Sequence, residues 1–159
     1  MNKLGYEPAT LGVDQAKEKA RAISSQIFDM IEIRGGKTTQ PGPGISTCAE
    51  DPKHLYKVRH TWSAYGVSKD ALSDGFDKLR ERMPSNGWNI TKYGPNDSPD
   101  KDLRILADST KEQFTANIEL LDATKPGSAP SASKESGIMV TLVSACFRAP
   151  EDTDLSGEY

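Results

Sequence analysis

Only two cysteines occur in 159 residues, Cys48 in "GISTCAEDP" and Cys146 in "VTLVSACFRAP". Two unpaired thiols, a metal or catalytic pair, and a single bridge are the readings to separate. A metal site needs further ligands, and neither cysteine has a His or Cys at close spacing. A thiol late in an apolar strand has no neighbouring cation or helix N-terminus to favour the thiolate that catalysis requires. A bridge and a pair of plain thiols remain, and the order of the strands bears on which.

The apolar positions Val13, Ala16, Ala20, Ile23, Ile27 and Ile31 recur at intervals of three and four, which predicts an amphipathic helix from Val13 to about Arg34. Asp14 suits its cap or first turn, and Gly35-Gly36 suits its end. Residues 1–12 read as a flexible lead and "GGKTTQPGPGIST" (35–47) as a Gly/Pro loop. "HLYKVRHTWSAY" (54–65) alternates as a strand, with Tyr56, Val58, His60 and Trp62 on one face and Leu55, Lys57, Arg59 and Thr61 on the other. Ser68 then caps a second helix, about 69–83, with the stripe Leu72, Phe76, Leu79 and Met83. Pro84 and Gly87 end it. Four more strands follow at 88–93, 103–108, 113–122 and 137–147, and the long Ser/Ala/Pro segment 123–136 reads as a mobile loop.

The expected fold is therefore a single α+β domain, residues 13–150, in which two helices cover one face of a five-stranded, mostly antiparallel sheet. In the order 1-2-3-4-5 the first and last strands would lie roughly 19 Å apart at ~4.8 Å per step, too far for Cα atoms that a disulfide needs within about 7 Å. In the order 2-3-4-5-1 they are antiparallel neighbours, the start of one meets the end of the other, and a bridge fits. That order also places the last strand, apolar on both faces, inside the sheet. Such a bridge is worth ~4–5 kcal/mol in the chain-entropy treatment.

Formal charge is −3, which disfavours a general nucleic-acid or anionic-membrane binder. Residues 1–80 hold 12 Lys/Arg and 10 Asp/Glu, whereas residues 81–159 hold 8 and 13. Part of that acidity is the tail "EDTDLSGEY" (151–159), read as solvated and disordered. No stretch approaches the ~20 apolar residues of a spanning helix, and the N-terminus lacks the apolar core of a secretory signal. A cytosolic protein and an exported one whose leader has been removed both fit.

"YGVSKDALSDGFDKLRERMPSNGWNITKYGPNDSPDKDLRILADS", with the closing "GIMVTLVSACFRAP", resembles the mature domains of small predicted lipoproteins exported by actinobacteria. The likeness spans roughly residues 48–150. It implies an extracytoplasmic, lipid-anchored domain with residues 2–47 as a membrane-proximal stalk plus first helix, and it favours the Cys48–Cys146 disulfide. No lipid-accepting cysteine stands near the N-terminus, so the anchor rests on the resemblance alone.

"KHLYKVRH" (53–60) mixes cations with an aromatic, as a nucleic-acid face would, but the overall acidity favours an ordinary strand with one apolar and one solvated face. His60 with Asp70 or Asp74 is the nearest thing to a general-base pair, and nothing in the spacing joins them. "GGKTTQPGPG" lacks P-loop spacing. Trp62, Tyr65, Trp88 and Tyr93 read as core aromatics packed with Phe76. No cofactor, metal or catalytic residue is expected. The expectation is a monomeric, non-enzymatic binding domain for an unknown protein or cell-envelope ligand. Its contact surface would be the sheet face away from the helices, with the rim near Tyr56, His60, Trp62 and Tyr65. The alternative is a toxin-neutralising or inhibitor protein that meets a basic partner with its acidic half. A small hydrolase comes last, for want of an acid–base–nucleophile set.

Overall fold

In a computed structural model that describes residues 6–33, 35–39, 42–95, 97, 101–109, 111–121 and 136–155, the first periodic segment forms α1, Val13–Ile31. All six stripe residues are buried, together with Ser24 and Met30. Gly12 is the N-cap, where the Gln15 side chain accepts its backbone N–H, and Asp14 sits in the first turn. The helix ends three residues earlier than expected, because Glu32 turns left-handed at φ 55° before the glycines are reached.

Helix α2, Lys69–Arg82, starts at Ser68, whose Oγ accepts the Ala71 N–H at 3.1 Å. Leu72, Phe76, Leu79 and Met83 are fully buried. The helices cross closely at Gly75, where a Cβ would stand 2.6 Å from Ile31 Cγ2 and 3.2 Å from the Ile31 carbonyl oxygen. Arg82 fastens the crossing from the rim: it donates to the Met30 carbonyl at 3.1 Å and to Glu32 at 2.8 Å. These bonds, with the help of Lys78, hold the Glu32 carboxyl below its ordinary range.

The sheet has eight strands rather than five. They are β1 (Lys37–Thr38), β2 (Gly44–Thr47), β3 (Leu55–Tyr65), β4 (Asn89–Pro95), β5 (Leu103–Ser109), β6 (Phe114–Leu121), β7 (Gly137–Ser144) and β8 (Phe147–Arg148). The order is β1-β3-β7-β6-β5-β4, with β2 and β8 also paired to β3, and every strand pairing is antiparallel. The five-strand expectation thus differs in detail. Segment 54–65 lies beside 137–144, but it is not an edge: β1 and β2, from the segment expected as a Gly/Pro loop, bond along its outer side.

The expected last strand divides in two. Arg59 faces Val143 while Tyr56 faces Phe147, so three residues, 144–146, oppose two, 57–58. This is the geometry of a β-bulge. Ser144 fills the gap in the ladder, its Oγ accepting the Val58 N–H at 2.8 Å. Strict alternation would put Phe147 on the face of Met139 and Val143. The bulge instead turns it into the main core, edge-on to Tyr56 at 6.1 Å between ring centroids.

One continuous core joins both helices to the inward residues of β3, β5, β6 and β7, for example Trp62, Val140, Ile118 and Ile105, which are aligned across the sheet. The layers are therefore two, with both helices on the same face. The N-terminal lead, expected as flexible, is tied down where it is described. Leu11 N–H bonds to the Arg148 carbonyl and Arg148 N–H to that of Ala9. The Tyr56 hydroxyl donates to the Leu11 carbonyl, and burial pushes that phenol up to about 12. The acidic tail is anchored at Leu155, which is buried in the core because an apolar side chain gains by leaving water, while Glu151, Asp152 and Asp154 stay exposed. The mobile loop expected at 123–136 lies, apart from Ser136, outside the described residues.

Candidate functional site

Cys48 and Cys146 form a disulfide, with Cα atoms 6.4 Å apart. Cys48 N–H bonds to the Leu55 carbonyl at the start of β3, and Leu55 pairs with Arg148. The bridge, with Leu55, makes a small buried cluster separate from the main core. Glu50 brings a carboxylate oxygen within 4.8 Å of the two sulfurs, but the bridge uses both sulfurs and leaves a metal ion a single oxygen. A disulfide is consistent with an extracytoplasmic protein. Among the described residues no helix is long and apolar enough to cross a membrane.

The alternation of β3 decides what its side chains can do. Lys57 and Arg59 point to the open face of the sheet, whereas Tyr56, His60 and Trp62 point beneath α1. Lys57 and Arg59 therefore fall on the face opposite Tyr56 and Trp62, and do not join them in one stacking platform for nucleic acid. Tyr56, His60 and Trp62 are buried on that covered face and Tyr65 lies apart from them, so the four do not form one exposed contact surface as expected. Tyr56 is fully buried. Tyr65 is half-buried at the far end of β3, paired with Lys37 and Gly137.

His60 and Trp62 do meet in one place. They line a cleft of about 320 Å³ between α1 and the β1–β2 segment, together with Arg21, Ser24, Ser25, Phe28, Thr38, Thr39, Gly42 and Pro43. Its base is a buried polar knot: the Trp62 indole N–H donates to Ser24 Oγ at 2.9 Å, and Ser24 Oγ lies 2.8 Å from His60 Nδ1. Indole is a donor only, so Ser24 must accept from it. Ser24 Oγ also bonds to the imidazole, so each of the three groups has a partner within the knot. Buried polar atoms demand such pairing.

Phe28, one turn beyond Ser24 on α1, meets Trp62 edge-on at 6.2 Å and 63°. Thr39 fixes the opposite wall: its hydroxyl accepts the Ser63 N–H at 2.9 Å and its own N–H bonds to the Ser63 carbonyl at 3.0 Å. At the mouth, Arg21 pairs on the helix surface with Glu18. Its Nη2 reaches to 3.9 Å from where a Gly42 Cβ would stand. The described lining has one guanidinium, one imidazole, four hydroxyls and no carboxylate. Asp70 and Asp74, on α2, are not part of it.

The remaining aromatics disperse. Trp88 is buried in the main core, and Tyr93 lies at the surface with Phe76 on one side and Arg80 4.0 Å above its ring. Of this lining the sequence singled out only His60 and Trp62; Ser24 and Phe28 are the two passed over whose spacing marks them. Their signal was present: Ser24 follows Ala20 by four and Phe28 follows Ser24 by four, which continues the buried stripe on its flank. Compared with known proteins, the chain matches no family model, no curated protein and no solved structure.

Proposed function

We propose that this is an exported or cell-surface, non-enzymatic binding domain whose ligand seat is the cleft between α1 and β3. The cleft itself carries the reading. Its size is at the lower end of the range typical of small-molecule sites, and it combines an apolar corner with a few fixed polar groups. The disulfide and the resemblance to exported actinobacterial lipoproteins support the compartment, and the resemblance alone supports a lipid anchor. Ser24, which bonds to His60, is buried and receives the Trp62 N–H, which draws charge from the oxygen that a nucleophile would need. A binding role suits that geometry better than hydrolysis.

An inhibitor with an acidic contact surface is less well supported. Glu112 pairs with Lys19 at 3.3 Å, and the acidic residues Glu151, Asp152 and Asp154 share a surface depression with Lys53, His54 and Arg148. The free edge of the sheet, β4, carries a register irregularity between Ile90 and Lys92 and ends at Pro95. Such features discourage pairing between copies and favour a monomer.

A fragment screen by two-dimensional NMR tests the proposal. Bound fragments should give saturable shifts centred on Ser24, Phe28, Thr39 and Trp62. The substitution Ser25→Trp, at an exposed position on the cleft wall, should abolish them while the rest of the spectrum is kept. Hits that map elsewhere, or that survive Ser25→Trp, would overturn it.

A further inference from the structure

Resting on the reading of the cleft as a ligand seat, we infer that its ligand is a small organic anion carrying a planar ring, an aromatic carboxylate in the simplest case. The charge at the cleft is one-sided. Arg21 stands at the mouth, and the described lining contains no acid that would repel a carboxylate or hold the guanidinium within. Among the described residues Arg21 pairs with Glu18, three residues back on the same helix, on a side chain that is 71% exposed. An ion pair of that kind is worth little in water, so a ligand carboxylate can take the guanidinium over at small cost. Arginine presents a planar fork suited to two parallel bonds to a carboxylate. The exposed hydroxyl of Ser25, on the α1 wall, can donate to the same anion.

The ring requirement comes from the other half of the cleft. Trp62 is held in one orientation by its bond to Ser24, and Phe28 stands against it at 63°. Two aromatic planes set at an angle make a corner that takes a third ring by stacking on one and meeting the edge of the other. Because the knot of Trp62, Ser24 and His60 is already formed, little side-chain freedom is lost on binding. A volume of about 320 Å³ admits one ring with its acid group. A purely apolar ligand would leave Arg21 unused, and a small ion without a ring would leave the corner empty.

Three probes separate these contributions: benzoate, its neutral isostere benzamide, and acetate, each titrated against the full chain and followed by NMR shifts of the Phe28 and Trp62 rings. Benzoate should saturate, and benzamide should bind about tenfold more weakly, the scale of one charge-assisted hydrogen bond. Acetate should not perturb the rings at the same concentrations. In Arg21→Gln, an exposed change that should leave the melting temperature in place, benzoate should fall to the level of benzamide. Equal binding of benzoate and benzamide at the cleft would overturn the anion while leaving the cleft a ligand seat. Retained benzoate preference in Arg21→Gln would remove the role given to Arg21 and overturn the inference. Silence from all three probes would overturn it too, and the broader fragment screen would then decide separately whether the cleft binds anything.

Discussion

At the scale of single residues, Ser24 carries more than its size suggests. It is the shared partner of two larger buried groups, the indole of Trp62 and the imidazole of His60. Ser24→Ala removes the oxygen and leaves both facing an apolar methyl, so the expected loss is about 1–3 kcal/mol of folding stability. Denaturant unfolding should show a lower midpoint at unchanged slope, and the Trp62 ring signals should shift as the cleft loosens. Tyr56 gives the second residue-scale expectation. Burial raises its phenol from 10.0 to about 12. A raised folded-state value means that the stabilisation is whole below about pH 10, where the unfolded phenol is still neutral, and is lost as the pH climbs through 12. In an ultraviolet titration of tyrosinate, one group should titrate near 12 and vanish in Tyr56→Phe. That Tyr56, His60 and Trp62 share one face was legible from the period of two in β3. What that pattern left open was whether the shared face is covered, and it is covered, because α1 lies across it.

At the scale of elements, both helices were readable from their stripes, but the place where they touch was not. Gly75 is an unremarkable letter in "KDALSDGFDKLRER" until Ile31 is found packed against it. Gly75→Ala would improve intrinsic helix propensity by about 1 kcal/mol, yet the added methyl meets a side chain at 2.6 Å and backbone at 3.2 Å. Overpacking of this kind costs about 1–3 kcal/mol, so the net effect should be destabilising. A thermal melt that rises in Gly75→Ala would show that the helices can separate more easily than their packing indicates. Strands β1 and β2 escaped the sequence because two and four residues amid Gly, Pro and Thr are too short to display alternation. They form because β3, eleven residues long, otherwise leaves a row of unpaired backbone groups along its outer side. The bulge at 144–146 was hidden for a related reason. A run that is apolar on both faces reads the same in either register, so "VTLVSACF" could not reveal that its last residues change sides.

At the scale of the molecule, the neighbouring of β3 and β7 was legible because two different features asked for it: cysteines that could meet only at adjoining strands, and a strand too apolar for an edge. The full order was not, since the pieces outside β3 left no periodic trace. The bridge ties the segment before β3 to the one before β8 across 98 residues of sequence, and so encloses α2 and most of the sheet. Closing so long a loop in the unfolded chain costs entropy, which the disulfide removes in advance. Its loss should therefore lower stability by ~4–5 kcal/mol in the chain-entropy treatment, more than either single substitution above. Cys48→Ala/Cys146→Ala, with both thiols removed so that neither can form a wrong pair, should unfold at a much lower denaturant concentration than the oxidised chain and should match the oxidised chain treated with reductant. Intact mass after alkylation under unfolding conditions checks the premise: no label without reductant, two labels with it, and a tryptic peptide joining Cys48 to Cys146. Two labels without reductant on protein recovered from an oxidising compartment would remove the bridge, and with it the physical link between this fold and life outside the cytoplasm.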